Sequence, residues 1–231
     1  MGTSPGALFV AKPRVPGSAA GESIDPKTGF EALGASPTEK NVVSLSISGV
    51  VKSTVFDDGN MVRVEMGKVT FWSDEIPVSG PRREVINEKI SVGGKTLTFC
   101  AAGVGNPHCV VPLPEISAEM AMLIGPLIEI HPNFPNRTNV QFMKVLDRAN
   151  IQIEIWERGA GHTLASGSSS SAAAAVAHKL GLCDNSITVH MPGGKLSIEI
   201  RKDFDILMTG PVTRVAEGTI DPEIFSGGDR L

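Results

Sequence analysis

The chain has 231 residues, 41% hydrophobic and 20% charged, which is enough for one large core or two small ones and excludes disorder of the whole. A net charge of −4, from 21 basic and 25 acidic residues, leaves no basic footprint for nucleic acid and no polybasic anchor for a membrane. Small-molecule partners are the expectation. The three cysteines, Cys100, Cys109 and Cys183, are odd in number and lack CxxC spacing, which speaks against a disulfide framework or a cysteine metal site and for a reducing compartment. The only apolar run near the start, Ala7 to Ala11 before Pro13, is too short for a signal core or a transmembrane helix, so a cytoplasmic location is expected.

Residues 1–40 are rich in Gly, Pro, Ser and Ala without periodicity, a composition that cannot bury enough apolar area to offset its ordering entropy, and a loose tail is expected there. Alternation begins at Asn41. Val43, Leu45 and Ile47 continue through Val50-Val51 and Val55-Phe56 to the turn Asp57-Asp58-Gly59-Asn60 and the strand Met61 to Met66, a hairpin with a long first strand. The Pro- and Gly-punctuated segment Trp72 to Glu88 reads as a connection. Lys95 to Ala101 and His108 to Leu113 read as strands about Gly103 to Pro107. Ser117 is a suitable N-cap for a helix reaching Ile124 to Ile128, with Met120, Leu123, Ile124 and Leu127 as its apolar face.

Thr138 to Leu146 and Asn150 to Trp156 form a second hairpin in which Ile151, Ile153 and Ile155 alternate with Gln152, Glu154 and Trp156. That strand delivers Glu157-Arg158 to a glycine turn and then to the loop before Ser168 to Ser171. The alanine run Ala172 to Ala177 predicts a helix stopped by Gly181. A helix opening from such a loop presents unpaired N–H groups at the positive end of its dipole, a place for a carboxylate or phosphate. Ser186 to His190, Lys195 to Ile200, Asp205 to Thr209 and Val212 to Ala216 complete the strands, and a loop-like tail runs from Gly218. Strands outnumber helices and adjoin one another, which gives an α+β class with antiparallel or mixed sheet.

At Gly105-Asn106-Pro107-His108, Phe134 to Asn139 and Glu157 to Thr163 the chain resembles the diaminopimelate epimerase family, cofactor-independent enzymes of the bacterial lysine and cell-wall pathway. The resemblance runs from about Asn41 to about Ile220 and includes Met191-Pro192-Gly193-Gly194 and Met208-Thr209-Gly210-Pro211. It implies two similar lobes of barrel-like mixed or antiparallel sheet, each around a central helix, with substrate in the cleft between them. One cysteine per lobe exchanges the α-proton of an amino acid, one as thiolate and the other as thiol. By the family pattern Asn106, Asn139, Glu157, Arg158, Gly167 and Ser168 bind substrate. The domain organisation expected on this basis is a tail over 1–40, a partial first lobe over 41–104, a second lobe over 105–217 and a tail over 218–231. The implied activity is epimerisation of diaminopimelate by an amino-acid isomerase without cofactor or metal; the implied partners are the amino acid and, for a homodimer, a second copy of the chain.

The sequence departs from the family twice. Where the family reads Ala-Cys-Gly the chain has Ala165-Ser166-Gly167, which places a hydroxyl at the second catalytic thiol, and a serine ionises only with help from a strong neighbouring base. No Cys-Gly-Asn-Gly loop occurs in residues 1–40, so the first catalytic cysteine has no counterpart, as expected of a truncated or mis-assigned start or of a degenerate relative. Two other functions therefore stand beside epimerisation: an inactive or truncated member that only binds an amino acid, and a racemase or isomerase for another substrate. The residues also have plain readings. Ser166 can be only a helix cap, Glu157-Arg158 a solvated pair and His162 a surface residue, or one that adapts the site to a different substrate side chain. Cys100 and Cys109 read as core, His108 and Cys109 point to opposite faces, and Arg82-Arg83 reads as an exposed pair.

Overall fold

The computed structural model describes residues 40–46 and 49–213. The expected tail over 1–40, apart from Lys40, which begins a strand, the tail from Gly218 and most of the strand expected at Val212 to Ala216 lie outside them. Twelve strands and two α-helices follow in the order β1 (Lys40–Ser46), β2 (Gly49–Phe56), β3 (Met61–Lys68), β4 (Glu88–Val92), β5 (Lys95–Gly103), β6 (Pro107–Pro112), α1 (Ala118–Glu129), β7 (Asn139–Asp147), β8 (Asn150–Glu157), β9 (Gly161–Thr163), α2 (Gly167–Lys179), β10 (Ser186–Met191), β11 (Gly194–Ile200) and β12 (Asp205–Pro211). This is the mixed, strand-dominated α+β class that the periodicity predicts.

All the described strands belong to one sheet, ordered β1-β2-β3-β12-β11-β10-β8-β7-β6-β5-β4 with β9 paired to β8. The β6–β7 and β8–β10 pairs are parallel and the others antiparallel. The sheet curls until the segment after β3 meets β5: Thr70 and Gly103 exchange backbone hydrogen bonds of 3.1 and 2.8 Å, and Val85 links Phe71 to Ala101 through two bonds of 2.9 Å. A barrel-like wall is the result, with α2 inside it. The two expected portions, 41–104 and 105–217, are joined within this wall, since β3 pairs with β12 and β5 with β6.

The alanines of α2 explain why a helix fits there. Ala172 to Ala175 and Ala177 are fully buried, so β5 to β8 and β10 to β12 all contact α2. Ile151, Ile153, Ile155, Ile187, Val189 and Ile198 point onto it. A helix apolar all round belongs inside a core, and alanine is the side chain that lets a surrounding sheet approach closely. Its C-terminus closes as the glycine stop predicts: Gly181 has φ +70°, its N–H donates to His178 at 2.9 Å, and Leu182 donates to Ala177 at 3.0 Å.

α1 lies on the outer face of the sheet over a second core that includes Phe99, Cys109, Val111, Val140 and Phe142. Ser117 caps it as expected, its hydroxyl accepting from Met120 N at 3.2 Å, and the helix continues through Pro126 to Glu129. The expected apolar face is corrected. Ile124 is buried and Met120 packs against the core, but Leu123 is 70% and Leu127 42% exposed, and Ala121, Gly125 and Ile128 make the contact instead. Gly125 is at the closest point, where a Cβ would stand 2.5 Å from Trp156 Cβ. The long first strand of the opening hairpin is corrected as well: it is two strands, β1 and β2, folded on each other with Ser46 opposite Gly49. β4 falls where no strand is expected; its short apolar pair, Ile90 and Val92, is held by β5 and the α1 core.

Candidate functional site

The N-terminal ends of β6 and β7, the C-terminal end of β8 and the first turn of α2 meet at one rim of the barrel. The register sets His108 opposite Asn139 and Val140 opposite Trp156. Asn139 is buried, its Nδ2 donates to Pro107 O at 2.9 Å, and its Oδ1 accepts from Arg158 N at 2.9 Å. One side chain thus ties together three segments, and it keeps one further N–H and one lone pair. Arg158 is exposed and donates from Nη1 to Asn136 O at 3.0 Å. Glu157 is half-buried beside it.

The turn after β8 rests on a residue that sequence reasoning misses. Glu129, the last residue of α1, accepts from Trp156 Nε1 at 2.7 Å, from Gly159 N at 3.1 Å and from Arg137 Nη1 at 3.4 Å. A carboxylate at the negative end of a helix dipole is unfavourable, and a buried one needs several donors. These three satisfy it and fix the glycine turn against α1. No local sequence signal marks such a contact, because the donors lie 8 to 30 residues away.

At the rim, Ser166 caps α2. Its Oγ accepts from Ser169 N at 3.4 Å and its carbonyl accepts from Ser170 N at 3.1 Å. Gly167 and Ser168 precede the first intrahelical bond, so their N–H groups face the loop at the positive end of the dipole. A cavity of about 140 Å³ adjoins this turn, lined by Ser166, Gly167, Met191, Lys195, Met208 and Gly210 among others. Gly193 seats the next turn against it: its N–H donates to Leu164 O at 2.7 Å, and a Cβ there would meet that oxygen at 2.9 Å. Lys195, exposed to solvent, places a positive charge at the edge of the cavity wall. The structure therefore brings Ser166 and Gly167 to this cavity, and Asn139 and Arg158 to each other at the neighbouring strand ends.

Asn106 joins the rim through His108, its Oδ1 lying 2.8 Å from His108 Nε2. His108 is completely buried. Burial pushes its pKa down to about 3; the neighbouring Gln141 side chain opposes the shift and the Arg158 charge adds to it, so the ring is neutral at ordinary pH. Gln141, also buried, donates from Nε2 to Ser169 Oγ at 3.0 Å and so reaches the first turn of α2. His162 pairs with Glu154 at 3.1 Å on β9 and β8 rather than standing free at the surface.

Cys100 and Cys109 fall where their plain readings place them, whereas of the arginine pair only Arg82 is exposed and Arg83 is half-buried. Cys100 and Cys109 are fully buried on opposite faces of the sheet, and burial pushes both thiols up, which keeps them protonated core residues. Arg82 pairs with Asp74 and Glu75, and Arg83 with Glu88 at 2.7 Å. Among the described residues, no His, Cys, Asp and Glu side chains gather into a metal-binding group, and no helix is long and apolar enough to cross a membrane.

Comparison with known proteins matches residues 100–215 to a family model described as diaminopimelate epimerase. "Diaminopimelate epimerase 2" of Nostoc sp. is 63% identical over 178 residues, covering 77% of this chain and 62% of that protein. The diaminopimelate epimerase of Moorella thermoacetica is 37% identical over 177 residues, covering 75% and 63%. The chain thus spans somewhat less than two thirds of the length of these curated relatives. Among solved structures, a probable proline racemase from Agrobacterium radiobacter K84 superposes with a TM-score of 0.59 at 15% identity, over 82% of this chain and 63% of that one. A hydroxyproline epimerase from Agrobacterium vitis superposes at 0.57 and 15% identity, over 77% and 59%. These two likenesses show a common fold.

Proposed function

The chain belongs to the diaminopimelate epimerase family, and from that premise we propose that it carries the amino-acid-binding half of a cofactor-independent epimerase, with diaminopimelate as substrate. The observation that carries the reading is the rim itself: Asn139 locks the Arg158 backbone while the α2 N-terminus offers the N–H groups of Gly167 and Ser168 beside a cavity. Removing an α-proton without a cofactor builds negative charge on the α-carbon and its carboxylate. A helix N-terminus aimed at that carboxylate stabilises the charge as it develops. In this reading Gly167 and Ser168 hold the α-carboxylate, and Asn106, Asn139, Glu157 and Arg158 hold the polar groups of the substrate. Ser166 stands where the family places its second thiol. Lysine and cell-wall biosynthesis, a cytoplasmic location, a homodimer and the absence of nucleic-acid partners belong to the same proposal.

The experiment is mass-spectrometric uptake of deuterium at the α-carbon of LL- and meso-diaminopimelate in D2O. Exchange with either isomer supports the epimerase, and the Ser166→Cys variant should exchange faster, since a thiolate is far more accessible than an alkoxide. A second reading is favoured by one specific contact. Ser166 Oγ is engaged as the helix cap, accepting from Ser169 N, which suits a binding module that does not move protons. Calorimetric binding of diaminopimelate with no exchange in either protein would establish that alternative, and absence of both binding and exchange would remove diaminopimelate as the ligand.

A further inference from the structure

Two of the three buried side-chain polar atoms without a partner, among the described residues, are His108 Nδ1 and Gln141 Oε1. Both residues are fully buried. They are also neighbours: in the parallel β6–β7 pair His108 stands opposite Asn139 and Val110 opposite Gln141, so His108 and Gln141 lie on one diagonal of the face that meets α2. Two unpaired atoms on neighbouring side chains in a dry interior are costly, and both are acceptors in the arrangement in which His108 donates from Nε2 to Asn106 Oδ1. Turning the Gln141 amide by half a revolution exchanges two groups of nearly equal size and resolves the conflict. Gln141 Nε2 then donates to His108 Nδ1, and Gln141 Oε1 accepts the hydroxyl proton of Ser169, across the same 3.0 Å contact.

We infer that Gln141 is a positioning residue that completes a one-directional hydrogen-bond chain, Ser169 to Gln141 to His108 to Asn106, which fixes His108 as its Nε2–H tautomer and turns the Asn106 N–H groups outward toward an anionic ligand group. The chain joins the first turn of α2 to the loop before β6, so the two sides of the rim share one polarity. The opposite polarity, with the proton on Nδ1, requires Asn106 to be turned instead and keeps Gln141 Nε2 as the donor to Ser169 Oγ. In that case Asn106 would present its carbonyl oxygen to a cation. The inference rests on the proposed function only for the identity of the ligand.

Long-range proton–nitrogen correlation spectra of the histidine side chains in the full chain test it, with His108 assigned by loss of its signals in His108→Asn. The wild-type spectrum is decisive without any variant: Nε2 protonated and Nδ1 an acceptor is the expected result, and Nδ1 protonated overturns the inference. Gln141→Glu replaces the donor by an acceptor and should move the proton to Nδ1, whereas an unchanged Nε2–H form would overturn the part assigned to Gln141. With meso-diaminopimelate as the probe, Gln141→Glu should weaken calorimetric affinity about tenfold by reversing Asn106, the loss expected when one hydrogen bond to a charged group is replaced by a mismatch. Unchanged affinity would sever the link to Asn106. A wild-type protein that binds no diaminopimelate counts against the proposed function, while the tautomer still decides the hydrogen-bond chain.

Discussion

The two α-helices among the described residues solve opposite problems with the same capping device. α2 is enclosed by strands, and its contact surface is alanine; α1 lies on the outside and meets the sheet through one narrow stripe of Ala121, Ile124, Gly125 and Ile128. Each begins at a serine whose hydroxyl accepts from the third residue on, Ser166 for α2 and Ser117 for α1. Each also delivers one end to the rim, α2 its N-terminal N–H groups and α1 its C-terminal carboxylate, Glu129. The difference teaches that burial on all sides makes a helix legible from composition, whereas a helix buried on one side depends on which of its faces the sheet selects.

Substitution should separate the helices most strongly in volume. Ala174→Leu forces a larger side chain into the barrel interior and is expected to cost about 3 kcal/mol in denaturant unfolding, with no comparable loss for any exposed position of α1. Next comes the clamp at the other end: Glu129→Ala leaves the Trp156 indole and the Gly159 N–H unpaired and should cost about 2 to 3 kcal/mol, with a shift in Trp156 fluorescence that Glu129→Gln only partly reproduces. A loss confined to stability, without that spectral change, would separate Glu129 from the turn.

Acid should act on the α2 side. His108 is depressed to about 3 in the folded chain, so between that value and about 6.5 the unfolded chain binds the extra proton and stability falls as pH falls. The contribution is fully present above about pH 6.5 and diminished by about 2 kcal/mol at pH 5. Unfolding curves that keep the same midpoint from pH 7 to pH 5, or a His108→Asn variant with an undiminished acid limb, would contradict the assignment. The two caps should then prove nearly equal, Ser166→Ala and Ser117→Ala each costing about 1 kcal/mol. The smallest effect belongs to Leu123→Ala: at 70% exposure it should change stability by less than about 0.5 kcal/mol, despite a sequence pattern that assigns it to the core.

The legible part of the candidate site was its local chemistry. The serine cap, the glycine turn after Glu157-Arg158 and the close glycine pair at Gly193-Gly194 each announce themselves in a few consecutive residues. Gln141, Glu129 and Lys195 were not legible. Gln141 sits in an alternating strand where a polar residue ordinarily faces water, and only the position of α2 beneath that strand makes it a buried link to Ser169. The same limit explains the fold. Strands β5 to β8 and β10 to β12 follow from period-two alternation and turn residues, but β4 does not, because two apolar residues, Ile90 and Val92, form a strand only when β5 is already beside them.

The sequence by itself determined the class of the protein, most of its strands, both helix caps, the glycine stop after α2 and the ordered motifs that place it in a family. Those features rest on backbone preferences and on contacts within a few residues, which any window of the chain displays. Tertiary structure alone decided that the sheet closes around α2, which stripe of α1 is buried, where the first strand folds back, and which buried polar groups meet at the rim. These outcomes depend on partners far away in the chain, and burial, the effect that makes a polar partner indispensable, exists only once those distant segments have packed.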